Sequence, residues 1–256
     1  MRTLRLGFAL VAYLLFFITF LYLIAFTGNL FGEVERLTGV PGVANLPSVD
    51  NGPAASAAMA IMLNSGLIAL FGIQHSVMAR PGFKSWLTRF WPASIERSLF
   101  VLATVVVLVL IFAYWRPLTP LVWSAEAPWL RTFLWALFLA GWAMVFVTTW
   151  LLNHFELFGL HQAWADFRRT AVPEPRFRTP LFYRFVRHPL YLGFLLAFWA
   201  IPDMSQGHLL LAGGFTIYIL IAIRYEERDL VAHLGEQYAD YRKRVGMLIP
   251  GIGKAS

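Results

Sequence analysis

The sequence contains no cysteine, which excludes a disulfide framework and any thiolate metal site. Charge is scarce as well. Asp, Glu, Lys and Arg make up 14% of the chain against 59% hydrophobic residues. A soluble domain of this length needs more polar surface, because its outer face must meet water. Nowhere does a glycine-rich loop of the dinucleotide-binding kind appear, so a Rossmann-type nucleotide site is excluded. What the chain has in abundance is long uncharged apolar runs, at 6–32, 51–79, 98–115, 132–155 and 204–223, with a shorter one at 188–202. A helix rises about 1.5 Å per residue through a hydrocarbon core of roughly 30 Å, so about 20 residues are needed to cross. The expected fold is all-α: a polytopic transmembrane helical bundle with five full spans, or six when a short C-terminal helical hairpin is counted. The first run exceeds the apolar part of a signal peptide and no small-residue cleavage site follows it, so it reads as a retained helix.

The placement of basic residues orients these helices. With six crossings and Arg2 and Arg5 on the inner side, only Arg36, Arg116 and Arg131 of the 21 Lys and Arg fall outside. The positive-inside rule predicts this asymmetry. The net charge of +7 is thus a topology signal and a contact for membrane lipids rather than a nucleic-acid footprint. Both termini are expected in the cytosol, in a multi-pass protein of a bacterial inner membrane. The segment 28–55, rich in Gly, Pro and Asn, reads as an outer loop. On the inner side, Arg168, Arg169, Arg176 and Arg178 form the densest basic cluster, and Pro173, Pro175 and Pro180 break any long helix there. No internal repeat is visible, and 1–256 reads as a single membrane-embedded domain.

Two clusters flank the short C-terminal hairpin. The first is Arg187-His188-Pro189-Leu190-Tyr191-Leu192-Gly193. Pro189 suits the first helical position, where its missing N–H costs nothing. The unpaired N–H groups of such a helix start favour an anion. Gly193 lets either a ligand or a second helix approach the backbone. The second cluster, Arg224-Tyr225-Glu226-Glu227-Arg228-Asp229, ends the returning helix, so an antiparallel hairpin puts both clusters on one side. Carboxylates can accept hydrogen bonds from a ribose diol. Glu226 and Glu227 lie roughly 100° apart on a helix, so one would face a ligand while the other pairs with Arg. Beyond them Leu230, Leu234, Tyr238 and Tyr241 form an amphipathic stripe, suited to lie on the membrane or to close over the site.

Arg-His-Pro-x-Tyr-x-Gly at 187–193, Glu226-Glu227, Leu230, Gly235, Tyr238, Tyr241 and Ile249-Pro250 together resemble the integral membrane methyltransferases, the superfamily of isoprenylcysteine carboxyl methyltransferase and phospholipid N-methyltransferase. The motifs Gln74-His75-Ser76-Val77-Met78-Ala79-Arg80-Pro81 and Asn153-His154-Phe155-Glu156-Leu157-Phe158-Gly159-Leu160 resemble, within it, the bacterial methanethiol S-methyltransferases. They are more loosely similar to membrane proteins associated with nitric-oxide metabolism. The resemblance implies S-adenosylmethionine as cofactor, bound in a cytosolic-leaflet pocket by the C-terminal part, 153–256, beneath the N-terminal helices, 1–152. It places His188, Tyr191, Gly193, Glu226 and Glu227 at the cofactor, within a segment that includes Pro189. The chemistry of the ligand agrees. Its carboxylate suits Arg187 or the helix start, and its sulfonium suits an aromatic face such as Tyr183, Tyr191 or Tyr225.

Methylating a thiol requires the thiolate, hence a base or a positive field at the acceptor. His154, Glu156 and His75 are the ionisable candidates on the inner side. The expected reaction is methylation of a small apolar thiol, methanethiol giving dimethyl sulfide. The alternatives are methylation of a lipid or prenylcysteine carboxylate, and a non-enzymatic membrane role in nitrogen-oxide metabolism. A metal site is not expected.

Overall fold

In the computed structural model, residues 1–172 and 177–254 are described. Pro173, Pro175 and Arg176, read above as helix breakers and part of the basic cluster, lie outside them. In chain order the elements are α1 (Arg2–Gly28), α2 (Phe31–Thr38), α3 (Ala57–Ala79), α4 (Pro81–Leu87), α5 (Ala93–Tyr114), β1 (Leu121–Ser124), α6 (Pro128–Leu151), α7 (His154–Leu157), α8 (Leu160–Arg168), α9 (Pro189–Trp199), β2 (Asp203–Ser205), α10 (Gln206–Leu234) and α11 (Glu236–Arg244). Five of these, α1, α3, α5, α6 and α10, are long and apolar enough to cross a membrane. The eleven residues of α9 span roughly 16 Å, about half the hydrocarbon thickness. The chain is therefore an all-α multi-pass membrane protein with five spans and one short apolar helix, as its charge-free runs require.

Two compact units divide the chain. The first comprises 1–124, 155–172 and 203–214, in which α1 packs on α5 and α8, and α3 packs on α5. One buried polar group of this unit is answered by backbone on both sides. Asn64, fully buried in α3, donates from Nδ2 to the Arg116 carbonyl at 2.7 Å and accepts the Arg116 N–H at Oδ1 at 2.9 Å. Such pairing is what an apolar surrounding demands of a mid-chain amide. At the charged end of α1, Arg5 donates to Asp166 of α8 at 3.0 Å, with Arg2 at 3.5 Å. An antiparallel ribbon of β1 and β2 was not foreseen, since neither three- to four-residue strand carries a usable alternation.

The second unit comprises 125–154, the described part of 173–202, and 215–254. Here Gly141 of α6 and Gly193 of α9 face each other. A Cβ built on Gly193 would sit 2.8 Å from the Gly141 carbonyl oxygen, and one on Gly141 would sit 2.7 Å from that of Gly193. The room left by Gly193 is thus filled by a second helix, one of the two roles open to that glycine. Above this contact Trp142 meets Phe194 and Phe198 edge-on. The hairpin of α9 and α10 is real. Phe198 packs on Phe215 and Trp199 donates to Thr216 at 2.9 Å, while at the other end His188 meets Glu227. The returning helix is longer than its apolar run, carrying the charged cluster 224–229 in continuous α-helix to Leu234. Gly235, with φ 60°, then turns the chain into α11, so the stripe from Leu230 to Tyr241 does not lie along one helix. Tyr238 and Tyr241 are buried, at 3% and 4% exposure, rather than resting on a membrane surface.

The close approach of α6 and α9 generates a test. Gly193→Ala should lower the thermal midpoint of the detergent-solubilised protein, with a cost of about 1–3 kcal/mol from overpacking against backbone. Gly66→Ala in α3, where an added methyl would meet nothing within 4 Å, should leave the midpoint unchanged or raise it. Fluorescence-monitored melting of the two variants beside the wild type decides the point.

Candidate functional site

Pro189 opens α9, and His188 stands before it as the N-cap residue. The backbone here is held by the chain's end rather than by a side-chain cap. The Arg187 N–H donates to the Gly246 carbonyl at 2.9 Å and the His188 N–H to Met247 at 3.2 Å, around an isolated parallel bridge between Val186 and Gly246. Gly246 is required at this crossing, because a Cβ there would lie 2.2 Å from the Ile249 carbonyl oxygen. The C-terminal segment thereby brings carbonyl groups to the side chain of Arg187.

Four of the five N–H groups of that guanidinium are engaged within the fold. Nε donates to Glu227 Oε1 at 2.6 Å, one terminal nitrogen to the carbonyls of Arg242 (3.2 Å) and Val245 (2.5 Å), and the other to Gly253 at 3.0 Å. The planar donor fork of arginine suits such a many-sided contact, and lysine could not reproduce it. Glu227 is equally engaged. Its Oε1 also accepts from His188 Nε2 at 3.0 Å, and its Oε2 lies 3.0 Å from Arg242 Nε in an ion pair. A carboxylate only accepts, so His188 carries a proton on Nε2. Arg187, His188 and Glu227 are all buried, where removing one partner of a paired charge is costly.

The structure therefore brings Arg187, His188 and Glu227 together and engages Arg187 and Glu227 chiefly with each other and with neighbouring groups of the fold. Glu226 differs. It is half-buried and makes no hydrogen bond or ion pair among the described residues. Tyr191 is half-buried one turn into α9, its ring 5.7 Å from that of His188. Tyr225 is 50% exposed. Arg242 and the C-terminal carbonyls were missed from sequence. Arg242 sits in a basic run that reads as topology, and no periodicity marks a carbonyl that turns inward.

The two candidate histidines share one device, each within its own unit. In the second unit His154 is buried, stacked on Trp150 at 4.5 Å and 8°, with Nδ1 2.8 Å from Thr149 Oγ1, which itself donates to the Phe146 carbonyl at 2.7 Å. Threonine has one proton to give. With that proton on the helix carbonyl, Nδ1 of His154 is the donor and its lone pair remains on Nε2. Burial lowers the pKa of His154 below the ordinary histidine value, so the ring stays neutral around pH 7. In the first unit His75 lies between Phe71 and Phe100. Its Nδ1 is 3.3 Å from Thr104 Oγ1, which donates to the Phe100 carbonyl at 3.0 Å. Glu156, also of the first unit, is half-buried, with His161 Nδ1 4.0 Å from its Oε2.

The buried network separates two arginines on the same carboxylate. Arg187→Met should unfold the detergent-solubilised protein at a much lower temperature, by about 3–5 kcal/mol, because Glu227 and three carbonyls lose their donor. Arg242→Met, whose side chain is 33% exposed, should cost about 1 kcal/mol or less. Equal losses in a melting experiment would contradict the central place given to Arg187.

Residues 62–249 match the family model described as NnrU protein. Among curated proteins, the methanethiol S-methyltransferase of Mycobacterium tuberculosis is 47% identical over 97% of this chain and 97% of its own. That of Crocosphaera subtropica is 42% identical over all of this chain and 95% of its own. Nurim of Rattus norvegicus is 31% identical over 64% of this chain and 65% of its own. No solved structure matches. With its whole length aligned to such relatives and the family's match covering the arginine–histidine–carboxylate network, the chain belongs to the NnrU protein family and shares that family with the methanethiol S-methyltransferases.

Proposed function

We propose that this protein is an S-adenosylmethionine-dependent thiol S-methyltransferase that converts methanethiol to dimethyl sulfide, working at the cytosolic leaflet of a bacterial inner membrane with both chain ends in the cytosol. The observation that carries the proposal is the division of labour between adjacent glutamates. Glu227 is locked into the fold by Arg187, His188 and Arg242, while Glu226 is held on the same helix turn without a partner of its own. The near full-length similarity to methanethiol S-methyltransferases supports the choice of acceptor, and the inner-side concentration of Arg and Lys supports the orientation.

The residues present fit the cofactor. Glu226 would accept from hydroxyl groups of its ribose, and Tyr191 and Tyr225 offer aromatic faces to a cation. When bound, S-adenosylmethionine supplies a methyl group activated by a sulfonium centre. The rest falls to the protein: holding acceptor and methyl donor at attack distance, keeping water out, and removing the thiol proton. His154 is the favoured base among His154, Glu156 and His75. It is neutral, its Nδ1 is fixed as a donor by Thr149, and Nε2 is the nitrogen able to take a proton. Methanethiol needs little room, and a membrane-embedded protein suits an acceptor that partitions into apolar surroundings.

Two measurements test this. Cells expressing the chain and supplied with methanethiol should release dimethyl sulfide into the headspace, read by gas chromatography. No product despite intact cofactor binding would move the acceptor to a lipid. Purified protein in detergent should bind S-adenosylmethionine, and Glu226→Gln should weaken that binding about tenfold or more without a large change in melting temperature, as expected for loss of a charged hydrogen bond. Glu227→Gln should instead lower the melting temperature.

A further inference from the structure

Among the buried polar atoms of the second unit that have no role in the network just described, one stands beside that network in the same helix as Arg242. Tyr238 of α11 is 3% exposed, and its hydroxyl has no hydrogen-bond partner among the described residues. Its ring is fixed on two sides, 5.8 Å from Tyr241 and 6.0 Å from Phe177, so the hydroxyl cannot swing out to solvent. Tyr241, three residues on and equally buried, satisfies its own hydroxyl by donating to the Tyr183 carbonyl at 2.6 Å. The contrast between these neighbours is informative. Leaving a buried hydroxyl unanswered carries a penalty that folding ordinarily avoids, and the fold shows that it can pair a phenol at this depth. Burial, together with the charges of Glu227 and Glu226, raises the pKa of Tyr238 above the usual phenol value. The phenol therefore keeps its proton at neutral pH and lies within the field of both carboxylates.

We infer that the Tyr238 hydroxyl is a ligand-binding group that donates a hydrogen bond to the same ribose hydroxyl pair that Glu226 accepts from. The inference rests on the proposed cofactor and adds a residue to its site. The choice among the cofactor's polar groups follows from charge. A neutral diol offers a proton to Glu226 and an oxygen lone pair to Tyr238, whereas the cofactor's own carboxylate has no proton to give to Glu226. A carboxylate alone can only accept; the phenol supplies the complementary donor. Together they distinguish a diol from a deoxysugar, because the loss of one hydroxyl strands a buried partner.

The experiment is isothermal titration of S-adenosylhomocysteine, and of analogues lacking the 2′- or the 3′-hydroxyl, into purified wild type, Tyr238→Phe and Tyr241→Phe. Tyr238→Phe should bind S-adenosylhomocysteine about tenfold more weakly while melting at or above the wild-type temperature, since an unpaired hydroxyl is removed. It should show no further loss against the analogue missing the hydroxyl that Tyr238 contacts. Tyr241→Phe should melt lower and keep its affinity. If the wild type binds S-adenosylhomocysteine and Tyr238→Phe binds it equally well, the inference is overturned and the cofactor proposal stands. A wild type that binds none of the three compounds overturns both.

Discussion

A carboxylate buried at the meeting of two helices and a chain terminus has to be surrounded by donors, and nearly everything distinctive about the second unit follows from how Glu227 is surrounded. Its two oxygens meet Arg187, His188 and Arg242. These come from the segment before α9, the N-cap position of that helix, and α11. A single side chain on α10 thereby joins three stretches of sequence that apolar packing would leave poorly registered, because contacts among Leu, Phe and Val have no preferred partner. Charged hydrogen bonds do. The buried pair is a device for specifying arrangement more than a source of net stability, since desolvating the ions offsets most of their attraction.

The shortness of α9 makes this device necessary. A helix of about half the membrane's thickness ends where its neighbours continue, and irregular backbone is tolerated near an apolar layer only when its polar groups are satisfied within the protein. Residues 186–188 and 245–253 satisfy one another: backbone N–H groups of one meet carbonyls of the other, and the Arg187 side chain collects the carbonyls that remain. Gly246 permits the crossing and Gly193 lets α9 sit directly on α6. The two glycines act on backbone approach, one at each side of the same short helix.

Much of this was legible in the sequence. Five spans and a short sixth helix follow from uncharged run lengths, and the meeting of His188 with Glu227 follows from an antiparallel hairpin whose charged ends lie together. The distinction between Glu226 and Glu227 was foreseen only as a necessity, that one should pair with arginine; which one depends on helical phase against α11, and phase is set by tertiary packing. The internal partners of Arg187 were hidden, because a guanidinium beside a helix start looks available until the carbonyls facing it are known. Those carbonyls belong to backbone, which every residue carries, so no side-chain pattern announces them. The break at Gly235 was hidden for a related reason. Leucine and tyrosine at four-residue spacings continue a stripe on paper, whereas a positive φ redirects it inward.

The same reasoning accounts for where reactive groups can remain in a protein so poor in charge. Every buried ionisable side chain must either be paired or be kept neutral. Glu227 takes the first course. His154 takes the second: burial keeps its ring uncharged, and a threonine back-bonded to its own helix fixes which nitrogen holds the proton. His75 repeats that arrangement with Thr104 on another helix. A protein built this way can keep imidazoles in apolar surroundings, with a threonine hydroxyl fixing the tautomer. A carboxylate in the same position would need a cation beside it and would lose basicity to that cation. A threonine beside a buried imidazole and an arginine beside a buried glutamate are both consequences of the solvent this chain folds in.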